Sequence, residues 1–176
     1  FRGKYPDSSI KSYNYTDLAE QTGVRVFYAS AAFTSAGTSY FLSQNAIGRL
    51  TTLAVDDTTR SFDLTPFNMP TTLRGTAYFT GYMDYTSGGA VYVRVTICKV
   101  SGGVETDISS TIISNSATSD FRVVLPIPLT TTQFKVGDIL RVKIKPDGGT
   151  GGIIIDPEAE GSNPTIKVYI PFKIET

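Results

Sequence analysis

The sequence contains no histidine. That removes the commonest general base, the commonest zinc ligand and the side chain whose charge switches near neutral pH. A Ser-His-Asp triad is excluded on the same ground, as is a histidine-activated cysteine. Tryptophan is also absent, and Cys98 is the single cysteine. One thiol makes neither an internal disulfide nor a multi-thiolate metal site. No apolar run approaches the roughly 20 residues of a membrane-spanning helix. Neither sign of charge is in excess: 16 Lys and Arg stand against 16 Asp and Glu. Such a balance exerts no general pull on nucleic acid or an anionic membrane.

A chain of 176 residues favours one domain, and a globule of that size buries roughly 70% of its unfolded surface. The first residue is Phe1, so the chain reads as a processed or truncated part of something longer. Serine and threonine are abundant, glycine, valine and isoleucine are frequent, tyrosine and phenylalanine together supply 20 residues, and the strong helix formers are sparse. Branched and aromatic side chains fit a pleated sheet, so the composition predicts many short strands joined by polar turns.

Alternation supports that expectation. Leu73, Ala77, Phe79 and Met83 share one face of a run whose other face carries Arg74, Thr76, Tyr78, Thr80 and Tyr82. After Thr86-Ser87-Gly88-Gly89, the residues Val91, Val93, Val95 and Ile97 alternate with Tyr92, Arg94, Thr96 and Cys98. Two such runs around a Ser-Gly-Gly segment read as a hairpin pairing 73–83 with 90–100. Ser101-Gly102-Gly103 turns the chain into a strand over 104–113, and Pro126 and Pro128 mark 121–125 as an edge or a strand end. Leu140, Val142 and Ile144 alternate with Arg141, Lys143 and Lys145; Ile166, Val168, Ile170 and Phe172 alternate with Lys167, Tyr169 and Lys173. Stretches 24–34 and 39–55 add strands, the second broken near Asn45 or Gly48. The expected architecture is all-β, an antiparallel two-sheet sandwich of eight to ten strands over residues 23–176. Residues 1–22 read as an arm or linker, with one short helical piece at 15–21.

Few residues offer chemistry. Asp147, Asp156 and Glu158, with Glu160, are the best metal candidates, because loops flanking a strand could gather them. Calcium needs six to eight oxygens, however, and ordinary loop chemistry explains the same residues. The same holds for Asp56-Asp57. Gly148-Gly149-Thr150-Gly151-Gly152 lacks the lysine and following helix of a phosphate-binding loop and reads as a flexible turn. The expectation is no catalytic residue, no metal and no cofactor. Tyr78, Tyr82 and Tyr92 fall on the nominally exposed face and are expected at a subunit interface rather than a sugar platform. Arg141, Lys143 and Lys145 form a one-sided basic stripe, but zero net charge argues against nucleic acid as partner.

The order of motifs in the last 60% of the chain resembles the small jelly-roll sandwiches of virus and phage structural proteins. The resemblance is carried by Phe134-Lys135-Val136-Gly137-Asp138-Ile139-Leu140-Arg141-Val142, then Asp156-Pro157, then Lys167-Val168-Tyr169-Ile170-Pro171-Phe172-Lys173-Ile174. It implies a non-enzymatic virion component, a decoration or minor capsid protein. Such a component is repeated as a homo-oligomer, often a trimer, and is attached to a major capsid protein. In that setting residues 1–22 are expected to grip the lattice. The alternative is a carbohydrate-binding or receptor-binding adhesin-type sandwich with a glycan as partner; a catalytic sandwich ranks third.

Overall fold

The computed structural model describes residues 22–35, 37–44, 52–56, 58–154 and 166–173. The expected arm, apart from Thr22, and the helical piece at 15–21 lie outside them, as do Asp156, Glu158 and Glu160. The described residues are all-β, with ten strands and no helix: β1 (Thr22–Thr34), β2 (Gly37–Ser43), β3 (Thr52–Ala54), β4 (Arg60–Asp63), β5 (Thr71–Ser101), β6 (Val104–Asp107), β7 (Ile112–Ile113), β8 (Phe121–Phe134), β9 (Ile139–Ile154) and β10 (Lys167–Lys173).

Hydrogen bonds join all ten into one sheet along the path β3–β9–β4–β2–β1–β10–β5–β6, with β7 and β8 added on β5. A further pairing of β9 with β5 closes β5, β10, β1, β2, β4 and β9 into a six-strand ring. Closure removes open edges from those strands. The pairing of β2 with β4 is parallel and consists of one residue pair, Phe41 with Asp63, which makes it the thinnest seam of the ring.

β5 organises the rest, and it corrects the expected hairpin. Segments 73–83 and 90–100 are two halves of one long strand and do not pair with each other. Residues Thr71 to Met83 lie between β10 and β8. Residues Met83 to Val100 run along β9, with β7 and β6 on the other side. The glycines that looked like turns allow a close backbone crossing instead. Register slips between Ser87 and Val91, where Gly88-Gly89 of β5 passes Gly148-Gly149 of β9. A Cβ on Gly148, Gly149 or Gly151 would strike the carbonyl oxygens of Ala90, Gly89 and Asp84, respectively. The glycine-rich stretch 148–152 is therefore strand, not a free turn. Ser101-Gly102-Gly103 does turn the chain into β6, with positive φ at both glycines. Strand 104–113 is split in two, and β8 extends to Phe134 with Pro126 and Pro128 exposed on it.

Inward residues from around the ring form one cluster. Val93, Val95, Ile97, Leu140, Val142, Ile144, Val168 and Ile170 are fully buried and Phe172 nearly so, as alternation requires. The Phe134–Val142 phrase is a built turn. Gly137 takes φ +87°, and the Asp138 carboxylate accepts the Lys135 N–H at 2.7 Å. The turn also bonds the β4–β5 connection: Gly137 N–H donates to Phe67 O, and Phe67 N–H to Asp138 O.

Candidate functional site

Three surface features carry the remaining chemistry. The first is the outward side of β6, β5, β9 and β4. Cross-strand pairing there sets Asp107, Cys98, Arg141 and Asp63 in one row. Arg141 grips Asp63 with two bonds of 2.6 and 2.7 Å and reaches Glu105 at 3.0 Å. Lys143 donates to Glu105 at 2.7 Å and to Asp107 at 2.9 Å. Arg94 donates to Asp147 at 2.9 Å, and Lys145 lies 3.6 Å from the same carboxylate. The basic stripe is thus matched: Arg94, Arg141, Lys143 and Lys145 meet Asp63, Glu105, Asp107 and Asp147. Exposed pairs like these contribute about 0–1 kcal/mol each, but they cancel the field a polyanion would need.

Alternation with Val93, Val95 and Ile97 predicts an outward Cys98; it does lie on this side, but it is fully buried beneath the charged residues. Its thiol donates to Asp107 at 3.0 Å, and burial followed by that bond pushes its pKa up to about 12. Asp107 is held below the usual carboxylate range by the Cys98 and Lys143 bonds, and Glu105 by Lys143 and Arg141. Burial works against the Lys143 ammonium, yet its two carboxylates hold the proton more tightly than usual. Cys98, Glu105 and Asp107 lie close enough to share an ion, but the Lys143 ammonium already occupies the position of the cation. Sequence reasoning missed this cluster. The Ser101-Gly102-Gly103 turn was its signal, since two-strand counting from that turn sets Asp107 opposite Cys98.

Of the metal candidates, Asp56 and Asp147 are described; Asp56 accepts from Arg60 at 2.8 Å and from the Thr58 N–H at 3.0 Å, and Asp147 lies within β9 rather than in a loop. Burial raises its pKa, while the Arg94 bond and the Gly148 N–H more than compensate and keep it low. Its oxygens serve Arg94 and the backbone, not an open ligand set.

The second feature is the outward side of β8, β5, β10 and β1. Tyr78 stands between Pro126 of β8 and Tyr169 of β10, and Tyr169 is opposite Val26 of β1. Tyr78 is 47% exposed, Val124 64% and Val24 61%. The three expected interface tyrosines do not form one cluster, because β5 does not fold back. Tyr78 and Tyr82 are in its first half and Tyr92 in its second. The Tyr82 hydroxyl donates to Asp120 at 3.3 Å. Tyr92 accepts from Arg94 at 3.1 Å, and that guanidinium lies 5.2 Å from the ring centre.

The third is a cleft of about 560 Å³ at the thin β2–β4 seam. Its apolar lining includes Phe27, Phe41, Leu42, Leu64 and Phe67, with Arg25, Gln44 and Asn68 as polar groups. Phe67 is fixed by the turn bonds above and by edge contacts with Phe134 and Phe172 at 5.0 and 6.3 Å.

No known protein family and no curated protein matches this chain. Several solved structures share its fold. A CocE/NonD family hydrolase from Staphylococcus aureus aligns over 86% of this chain and 37% of its own, with a TM-score of 0.61 and 12% identity. An α-amino acid ester hydrolase aligns over 86% and 34%, with a TM-score of 0.54 and 12% identity. An aminopeptidase from the marine sediment archaeon Thaumarchaeota archaeon aligns over 66% and 26%, with a TM-score of 0.52 and 12% identity. The chain spans about a quarter to somewhat over a third of those proteins. At this identity the likeness concerns the fold alone.

Proposed function

We infer that the chain is a non-enzymatic jelly-roll sandwich acting as a repeated structural subunit of a virus particle, attached to a larger capsid lattice. The observation that carries this reading is the outward side of β8–β5–β10–β1. Exposed Tyr78, Val124, Pro126 and Pro128 stand close together there, on the same side as Arg122 and Lys167. The motif order of the second half of the chain supports the virion setting, and matched charges on the other outward side suit an inert shell component. In this reading Tyr78 is the centre of the subunit contact and Tyr82 lies on the same side, whereas Tyr92 belongs to the charged side beside Arg94.

The test is the mass of the full chain in solution, by light scattering, beside the double variant Tyr78→Glu/Val124→Glu. A trimer or other closed oligomer that the variant converts to a folded monomer supports the reading. A monomeric parent, or an oligomer indifferent to both substitutions, overturns it. The second reading is a glycan- or receptor-binding adhesin-type sandwich, which the aromatic-walled cleft favours.

A further inference from the structure

Arg25 breaks the alternation of β1. Phe27, Ala29 and Ala31 point inward and are buried, and Arg25 has the same parity one step nearer the end of the strand. At the end of the strand, however, Arg25 is exposed, so its guanidinium is not buried in the core and borders the cleft instead. Here it lies 5.0 Å from the centre of the Phe172 ring, opposite Ile170 of β10. Among the described residues, no carboxylate lines the cleft beside it, nor the smaller hollow on its other flank, where Lys173 adds a second positive charge. The contrast with Arg94 and Arg141, each held by carboxylates, is direct.

We propose that this cleft binds a small ring-bearing carboxylate, its anion paired with Arg25 and one face of its ring against Phe67. The mouth of a closed strand ring is a common place for a small-molecule site, and the volume lies in the usual range. The seam supplies the opening, since β2 and β4 meet at one residue pair. The walls are preorganised: Phe67 is bonded through its backbone to the 135–138 turn, and Phe27 is fully packed. A guanidinium held over an aromatic ring keeps donors available for a two-point carboxylate bond. The ligand chemistry has two sources, a free aryl carboxylate or the uronic acid residue of a glycan. The site does not depend on the particle role proposed above, because it lies at the ring mouth and not at Tyr78.

The experiment titrates the full chain with phenylacetate, phenylacetamide and glucuronate by calorimetry and by backbone amide NMR. Phenylacetate has about ten heavy atoms, so binding in the millimolar range is expected of it. Phenylacetamide and the Arg25→Gln variant should each weaken binding by about tenfold or more, and Arg25→Lys by less, because a charged bond is lost or loses its geometry. Amide shifts should centre on Phe41 and Phe67. Binding of phenylacetate alone assigns the aryl source; binding of glucuronate assigns the sugar. Absence of binding by both acids overturns the proposal. So does equal binding of phenylacetate and its amide, or affinity unchanged in Arg25→Gln, a surface substitution that leaves the core intact.

Discussion

Asp138 receives three donors at once: the Ser101 hydroxyl, the Lys135 N–H and the Lys99 ammonium at 2.9 Å. Those bonds lower its pKa from 3.8 to about 2, the Ser101 bond leading. A carboxylate depressed in the folded state contributes stability that is present above its unfolded pKa and lost as pH falls through the folded one. The urea midpoint should therefore drop between pH 3.8 and about 2. Asp138→Asn should lower the midpoint at neutral pH and remove most of this group's share of the acid loss. An unchanged acid profile in the variant would place that loss on other carboxylates. Cys98 offers a second check at the same scale. Its thiol is buried and pushed up to about 12, and the thiolate is the reactive form. At pH 8 the folded chain should react with a thiol reagent orders of magnitude more slowly than the urea-unfolded chain. Comparable rates would mean that the β6 cover opens readily. Phe172 tests the alternation itself: Phe172→Ala should cost about 3–5 kcal/mol in chemical denaturation, whereas under about 1 kcal/mol would shift β10 by one residue.

At the scale of the element, the glycine stretches decide between a hairpin and a continuous strand. A Cβ on Gly149 runs into the Gly89 backbone, whereas one on Gly89 meets nothing within 4 Å. Gly149→Ala should destabilise by about 2 kcal/mol or more, through clash and backbone displacement. Gly89→Ala, at a compatible backbone angle, should change stability by no more than about 1 kcal/mol in either direction. Equal tolerance at the two positions would restore the free turn. The asymmetry also explains what was legible beforehand. Period-two alternation marked the inward residues of β5, β9 and β10, because burial on one side leaves a local signature. It placed Arg141, Lys143 and Lys145 on one side for the same reason. It could not supply their partners, since Asp63 and Glu105 arrive from strands far along the chain. Nor could it separate a turn from a close crossing, because glycine serves both. The cleft left one sign, Arg25 at an inward position, and its opening follows from topology alone.

At the scale of the whole molecule, a chain with no net charge distributes its polarity unevenly. One outward side carries four cations tied to four carboxylates; the other carries Tyr78, Val124, Val24 and Pro126, with Arg122 and Lys167 beside them. The two sides predict different responses of self-association to salt. Contacts through the charged side would weaken as ionic strength rises, since the screening length falls to about 3 Å at 1 M salt. Contacts through the tyrosine side bury apolar area, which salt does not screen, and they carry a negative heat-capacity change. A stable contact of that kind also needs well over about 1,000 Å² of buried surface, more than Tyr78 and its neighbours give singly, so residues on β8, β5 and β10 must enter together. The association constant of the full chain should therefore hold steady or rise between low and high sodium chloride, with a negative heat-capacity change by calorimetry. Tyr78→Glu/Val124→Glu should abolish it at every salt concentration, while Lys143→Gln leaves it unchanged. Dissociation at high salt, rescued by low salt and sensitive to Lys143→Gln, would move the subunit contact to the charged side and leave the tyrosines as ordinary surface.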